Sequence, residues 1–168
     1  MSFESELKEF IKDYEKLILL GVGNILKKDD GAGPYIISKL EEKENILLID
    51  GQTMPENFTG LIRKANPSHL LIIDACLMNE EPGTIKLVNR EDFVNIGIST
   101  HSMSLNYFVK YLERDLPVKV ANIGIQPESM DFGEDLTLKV YNNCNEFIIL
   151  MKEILWKFYL LDQDFLMI

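Results

Sequence analysis

The chain has 168 residues, 46% of them hydrophobic and 26% charged, with a formal charge of −10. That length suits one domain, residues 1–168, able to bury roughly 70% of its unfolded surface, and the apolar share argues against disorder. So acidic a surface does not attract nucleic acid or an anionic membrane, but it permits a basic or neutral protein partner.

Residues 1–16 read as a helix, because Phe3, Leu7, Phe10, Ile11 and Tyr14 fall on one helical face. Its start, Met1 to Glu6, carries acids and no basic region, so it does not read as a signal peptide. Leu17 to Val22 is an apolar first strand, followed by the glycine-rich turn Gly21-Val22-Gly23-Asn24 and the pair Asp29-Asp30. Gly33-Pro34 opens a helix with Tyr35, Ile36, Ile37 and Leu40 on its apolar face. Asn45 to Asp50 forms a second strand, ending in Gly51, and Pro55-Glu56-Asn57 begins a short helix that Asn66-Pro67 ends.

Ser68 to Ala75 is a third strand, with Asp74 near its end. After the Glu81-Pro82-Gly83 turn, Thr84 to Val88 reads as a hairpin or edge strand. Ser99-Thr100-His101-Ser102 precedes a helix carrying Leu105, Phe108, Val109 and Leu112. Val118 to Ile125 is a further strand, closed by Gln126-Pro127. A long last helix carries Val140, Cys144, Phe147, Ile148, Met151, Ile154, Leu155 and Phe158 along one stripe. Strands alternating with helices predict an α/β three-layer sandwich, a mainly parallel twisted sheet of about five strands with helices on both faces. The apolar tail from Leu160 to Ile168 is suited to docking, for instance on a second copy.

No apolar run approaches the ~20 residues of a membrane span. Cys76 and Cys144 are far apart and in no CxxC pair, so neither a disulfide scaffold nor a structural zinc site is expected. A reduced, cytoplasmic protein is the expectation.

The glycine-rich turn does not read as a dinucleotide site. Leu26 stands where the fingerprint needs its third glycine, and two carboxylates would repel a pyrophosphate. A sharp strand-to-helix turn with Asp29 or Asp30 as helix cap is one reading. The other takes Asp30, Asp74 and His101 together. Each follows a strand or opens a helix, so all three can converge at one sheet edge. Two carboxylates and an imidazole suit a borderline divalent metal such as nickel or zinc. Cys76 with His101 and an acid would instead make a thiol hydrolase, against the commoner fate of such a cysteine as a small buried hydrophobe. Met54, Met78 and Met103 either line a protein-binding groove near that edge or fill core. His69, at the start of the third strand, belongs to the opposite edge.

From about Leu17 to Leu155 the residues resemble the nickel-iron hydrogenase maturation endopeptidases. The resemblance is carried by Gly21-Val22-Gly23-Asn24, Asp29 to Pro34, Asp50-Gly51, Pro55-Glu56-Asn57, Leu70 to Ala75, Thr100-His101-Ser102-Met103, Leu105-Asn106-Tyr107 and Gly124 to Pro127. The loops look most like the branch that processes formate-hydrogenlyase-type hydrogenases. The resemblance implies an endopeptidase that removes the C-terminal extension of a NiFe-hydrogenase large-subunit precursor after nickel insertion. It implies nickel presented by that precursor and no organic cofactor, and it carries the metal-contacting and catalytic positions onto Asp30, Asp74 and His101. Asp29 is the adjacent, less certain acid. A monomer or weak homo-oligomer is expected. A non-catalytic nickel- or hydrogenase-binding chaperone on the same fold is the alternative. Three departures stand out: Gln52 replaces a common glycine, Cys76 a common threonine, and the helix before Leu17 is extra.

Overall fold

A computed structural model describes residues 1–94 and 102–166. Helix α1 (Phe3–Ile11) is capped by Ser2, whose hydroxyl accepts from the Ser5 N–H at 3.2 Å. Strand β1 (Leu17–Val22) follows, then a 3-10 turn over Lys28–Gly31 that runs into α2 (Ala32–Lys39). Next come β2 (Ile46–Gln52), a 3-10 turn over Pro55–Phe58, α3 (Thr59–Ala65), β3 (His69–Ala75) and β4 (Ile85–Asn89). Helix α4 (Ser102–Asp115), β5 (Lys119–Ile125) and the long α5 (Leu138–Leu166) complete the order. Two details differ from the sequence reading. Helix α1 stops at Ile11, so Tyr14 packs on the core from the turn beyond it. The short helix after β2 begins as a 3-10 turn, and Asn66 ends it in the left-handed conformation at φ 48°.

The five strands form one sheet in the order β2-β1-β3-β5-β4. The first four are parallel neighbours, and β4 joins β5 antiparallel at the edge. The apolar runs of β1 and β3 are buried along their whole length, as central parallel strands must be. Their period of two divides them between two cores. Leu17, Leu19, Leu71, Ile73, Ala121 and Ile123 face α1, α2 and α5. Ile18, Leu20, Leu70, Ile72 and Val120 face the other side, with Ile62 of α3 and Leu105, Val109 and Leu112 of α4. Each such fully buried Leu or Ile stabilises by about 1.5–3 kcal/mol, so this double burial fixes the register. The expected three-layer α/β sandwich is present. Among the described residues no helix is long and apolar enough to cross a membrane.

Candidate functional site

Parallel strands deliver their carboxyl ends to one edge, and the chain after β1 is folded tightly against it. Gly23 has φ 143°, and a Cβ there would lie 1.7 Å from the Asp30 carbonyl oxygen. A Cβ on Gly33 would lie 2.3 Å from the Ile73 carbonyl oxygen and 2.6 Å from that of Val22. Glycine therefore lets the first turn of α2 close directly onto the ends of β1 and β3. The motif is a device for close helix–sheet packing.

Asp29 and Asp30 have separate duties, and neither caps α2, whose N-cap is Gly31 without a side-chain bond. Asp29 is fully buried. Its Oδ2 accepts from the N–H groups of Glu128 and Ser129, both at 2.9 Å. Its Oδ1 accepts from the Thr137 N–H at 2.7 Å, and the Thr137 hydroxyl donates to the same carboxylate. Backbone bonds from Lys28 to Gly133, Asp29 to Ser129 and Gly133 to Leu26 tie the same two loops together. Asp29 thus clamps the segment from 128 to 137, and its oxygens are committed to that task. Asp30 is 2% exposed and turns the other way. Its Oδ2 accepts from the Asn24 N–H at 3.0 Å, while Asn24 Oδ1 accepts from the Leu26 N–H at 2.9 Å.

Asp74 lies one residue from the end of β3 and is fully buried. Strand alternation puts it on the side of Leu70 and Ile72, the face that α3 and α4 cover. The 3-10 turn that holds Asp30 packs against β3, so Asp30 and Asp74 reach the same edge of the sheet. His101 lies outside the described residues. Helix α4 begins at Ser102 and leads through a short turn into β5. Its 14 residues span ~21 Å at about 1.5 Å each, roughly the ~23 Å length of β5. Its start therefore returns to the level of the strand ends. Among the described residues no three acidic, cysteine or histidine side chains form a metal cage.

The neighbouring loops are organised from the end of β5. Gln126, 8% exposed, accepts on its side-chain oxygen from the Met78 N–H at 2.7 Å and donates to the Pro127 carbonyl at 3.2 Å. Gln52, the departure from a common glycine, sits at φ 47°, in the left-handed region that glycine favours. Its carbonyl accepts from the Gly23 N–H at 2.8 Å, so the loop keeps a glycine-type backbone despite the side chain. Met54 is half-exposed beside this loop, and Met78 is part-buried under Gly124, where a Cβ would meet its sulfur at 3.0 Å. Met103 has no described side chain.

Cys76 is 3% exposed, and burial followed by the Asp74 charge pushes its thiol far above the ordinary value. Its Sγ takes a contact from Asn122 Nδ2 at 3.7 Å. Such a thiol is a small core residue, the commoner fate expected of it, rather than the nucleophile of a thiol hydrolase. His69, at the far edge, is 1% exposed and sits between Ser68 Oγ at 2.9 Å and Asp13 Oδ1 at 3.3 Å. The roles of Thr137 and Gln126 were not legible in the sequence, because both act across long separations with no local signature.

The model of the family described as "Hydrogenase maturation protease" matches residues 34–154. The hydrogenase 3 maturation protease of Escherichia coli K12 is 39% identical over 123 residues, covering 71% of this chain and 78% of its own. The solution structure of the Escherichia coli endopeptidase HycI superposes with a TM-score of 0.70 at 35% identity, covering 79% of this chain and 86% of that one. The crystal structure of a [NiFe] hydrogenase maturation protease HycI from Thermococcus kodakarensis KOD1 shares the fold, with a TM-score of 0.81 at 22% identity over 89% of this chain and 98% of that one.

Proposed function

Because the chain belongs to the hydrogenase maturation protease family, we propose that it is the endopeptidase that cuts the C-terminal extension from a nickel-loaded NiFe-hydrogenase large-subunit precursor. The observation that carries the reading is the pair of buried carboxylates, Asp30 and Asp74, at one carboxyl edge of the parallel sheet. Open α/β sheets use that edge for their sites. A buried acid also loses hydration, so it favours a cation or a strong donor near it.

The precursor's nickel is substrate cargo here. Asp30, Asp74 and His101 supply two carboxylates and an imidazole, a donor set that suits a borderline divalent ion. The Asn24 N–H orients the Asp30 carboxylate, as outer partners orient metal ligands. Gripping an ion already bound by the precursor converts recognition of a flexible tail into local positioning of the scissile bond. Asp30, close to that bond, then serves as general base for the attacking water.

The test is incubation of purified protein with nickel-loaded precursor, read by mass spectrometry of the large subunit. Wild type is expected to release the C-terminal peptide. Asp74→Asn and His101→Ala should slow release by about 100-fold or more with unchanged circular dichroism. Full cleavage by either variant removes the ligand assignment. A stable complex without cleavage by wild type would favour the chaperone alternative.

A further inference from the structure

A groove of about 410 Å³ opens beside the Asp30 turn. Gly31, the residue after Asp30, lines its inner end, and it runs outward between α2, the end of β2 and the segment leading into α5. Its wall is apolar and aromatic. Ile25 is 55% exposed there, and the rings of Tyr35 and Tyr141 lie 5.8 Å apart. Its rim carries three exposed carboxylates, Asp50, Glu134 and Asp135, and no lysine or arginine lines it.

The cations nearest in sequence are engaged around the groove rather than within its lining. Lys27 lies 5.9 Å from the Phe132 ring centroid, and the Lys28 stem packs beside Gly133. Lys139 pairs with Glu81 at 3.3 Å. Lys39 lies 5.5 Å from the centroid of Tyr35, so this aromatic wall already holds one amine against a ring face. Acidic rim, aromatic wall and continuity with the Asp30 turn together describe a seat for an extended, cationic chain. The three exposed carboxylates would repel an acidic peptide, and a neutral apolar one would gain no attraction from them.

Resting on the protease reading above, we propose that this groove binds a basic stretch of the precursor's cleavable C-terminal extension, with lysine or arginine heads on Asp50, Glu134 and Asp135 and an apolar side chain against Ile25. The groove thereby sets substrate specificity and holds the tail taut across the Asp30 edge.

The probes are two short fluorescein-labelled peptides, one alternating lysine and leucine, the other alternating glutamate and leucine, followed by fluorescence anisotropy. The lysine peptide should bind and the glutamate peptide should not, and raising ionic strength toward about 0.15 M should weaken the binding. The double variant Glu134→Lys with Asp135→Lys should raise Kd for the lysine peptide by about tenfold, while Glu153→Lys, further along α5 and outside the groove lining, should not. Both rim residues are exposed, so circular dichroism should report an intact fold. Comparable binding of both peptides, or a Kd within about twofold of wild type in the double variant, overturns the proposal. Precursor processing separates the two levels of inference. Unchanged kcat/KM in the double variant refutes the groove while leaving the protease reading intact. Absence of processing by wild type refutes that reading whatever the peptides do.

Discussion

Replacing Asp29 tests the division of labour between the two adjacent aspartates. The Asp29→Ala variant deletes the acceptor for three backbone N–H groups, those of Glu128, Ser129 and Thr137, and for the Thr137 hydroxyl. An orphaned buried donor costs about 1–3 kcal/mol. The truncation leaves room for water, which favours the low end for each N–H, and the hydroxyl can rotate to a new partner. Three donors at about 1–1.3 kcal/mol each give a loss of about 3–4 kcal/mol. That is a large share of the roughly 5–15 kcal/mol expected for a domain, and at about 2–4 °C per kcal/mol it lowers Tm by roughly 6–16 °C. Asp29→Asn is a sharper probe, because every backbone group facing the carboxylate is a donor. Its amide nitrogen must turn toward at least one N–H, and the best choice is the Oδ1 side, where only Thr137 donates from the backbone. A loss of about 1.5–3 kcal/mol follows. Urea unfolding followed by circular dichroism measures both variants, with hydrogen exchange of residues 128–137 as the local readout. A loss below ~1 kcal/mol for Asp29→Ala, or unaltered exchange in that segment, would refute the clamp.

Three further outcomes follow from the packing and the buried titratable groups. Gly33→Ala puts a methyl 2.3 Å from the Ile73 carbonyl oxygen, so α2 must move off the sheet; a loss of about 3 kcal/mol or more is expected by urea unfolding. Cys76→Ser should leave precursor cleavage within about twofold, and a maleimide should label Cys76 only after unfolding; rapid native labelling would contradict its burial. Burial, then the Lys119 charge, lower the His69 pKa from the ordinary 6.5, so His69 is neutral in the folded state and protonates first in the unfolded one. Its contribution is full above 6.5 and is lost as pH falls below that value toward the depressed folded pKa. His69→Leu should therefore flatten the stability curve as pH falls below 6.5, read as urea midpoints on either side of that value; an unchanged slope would show that the imidazole is not held neutral.

The amino-acid sequence alone determined whatever depends on near neighbours along the chain. The uninterrupted apolar runs of β1 and β3 announce strands covered on both faces, because any other placement would leave leucine and isoleucine in water. The stripe on α5 from Val140 to Leu155 and the apolar positions of α4 need only helical spacing to be read. Acids at strand ends, Asp30 and Asp74, could be named because a strand's end is a local property. The tertiary structure decided which partners meet. Asp29 and Asp30 are chemically alike and adjacent, yet one is tied to backbone about a hundred residues away and the other faces its own turn. Only the arrival of the 128–137 segment tells them apart. The left-handed backbone at Gln52 is likewise imposed by its carbonyl's bond to Gly23, against the preference of its own side chain. Periodicity is written in short spacings, whereas hydrogen-bond partners are chosen across the fold, where one buried donor without an acceptor outweighs any local propensity.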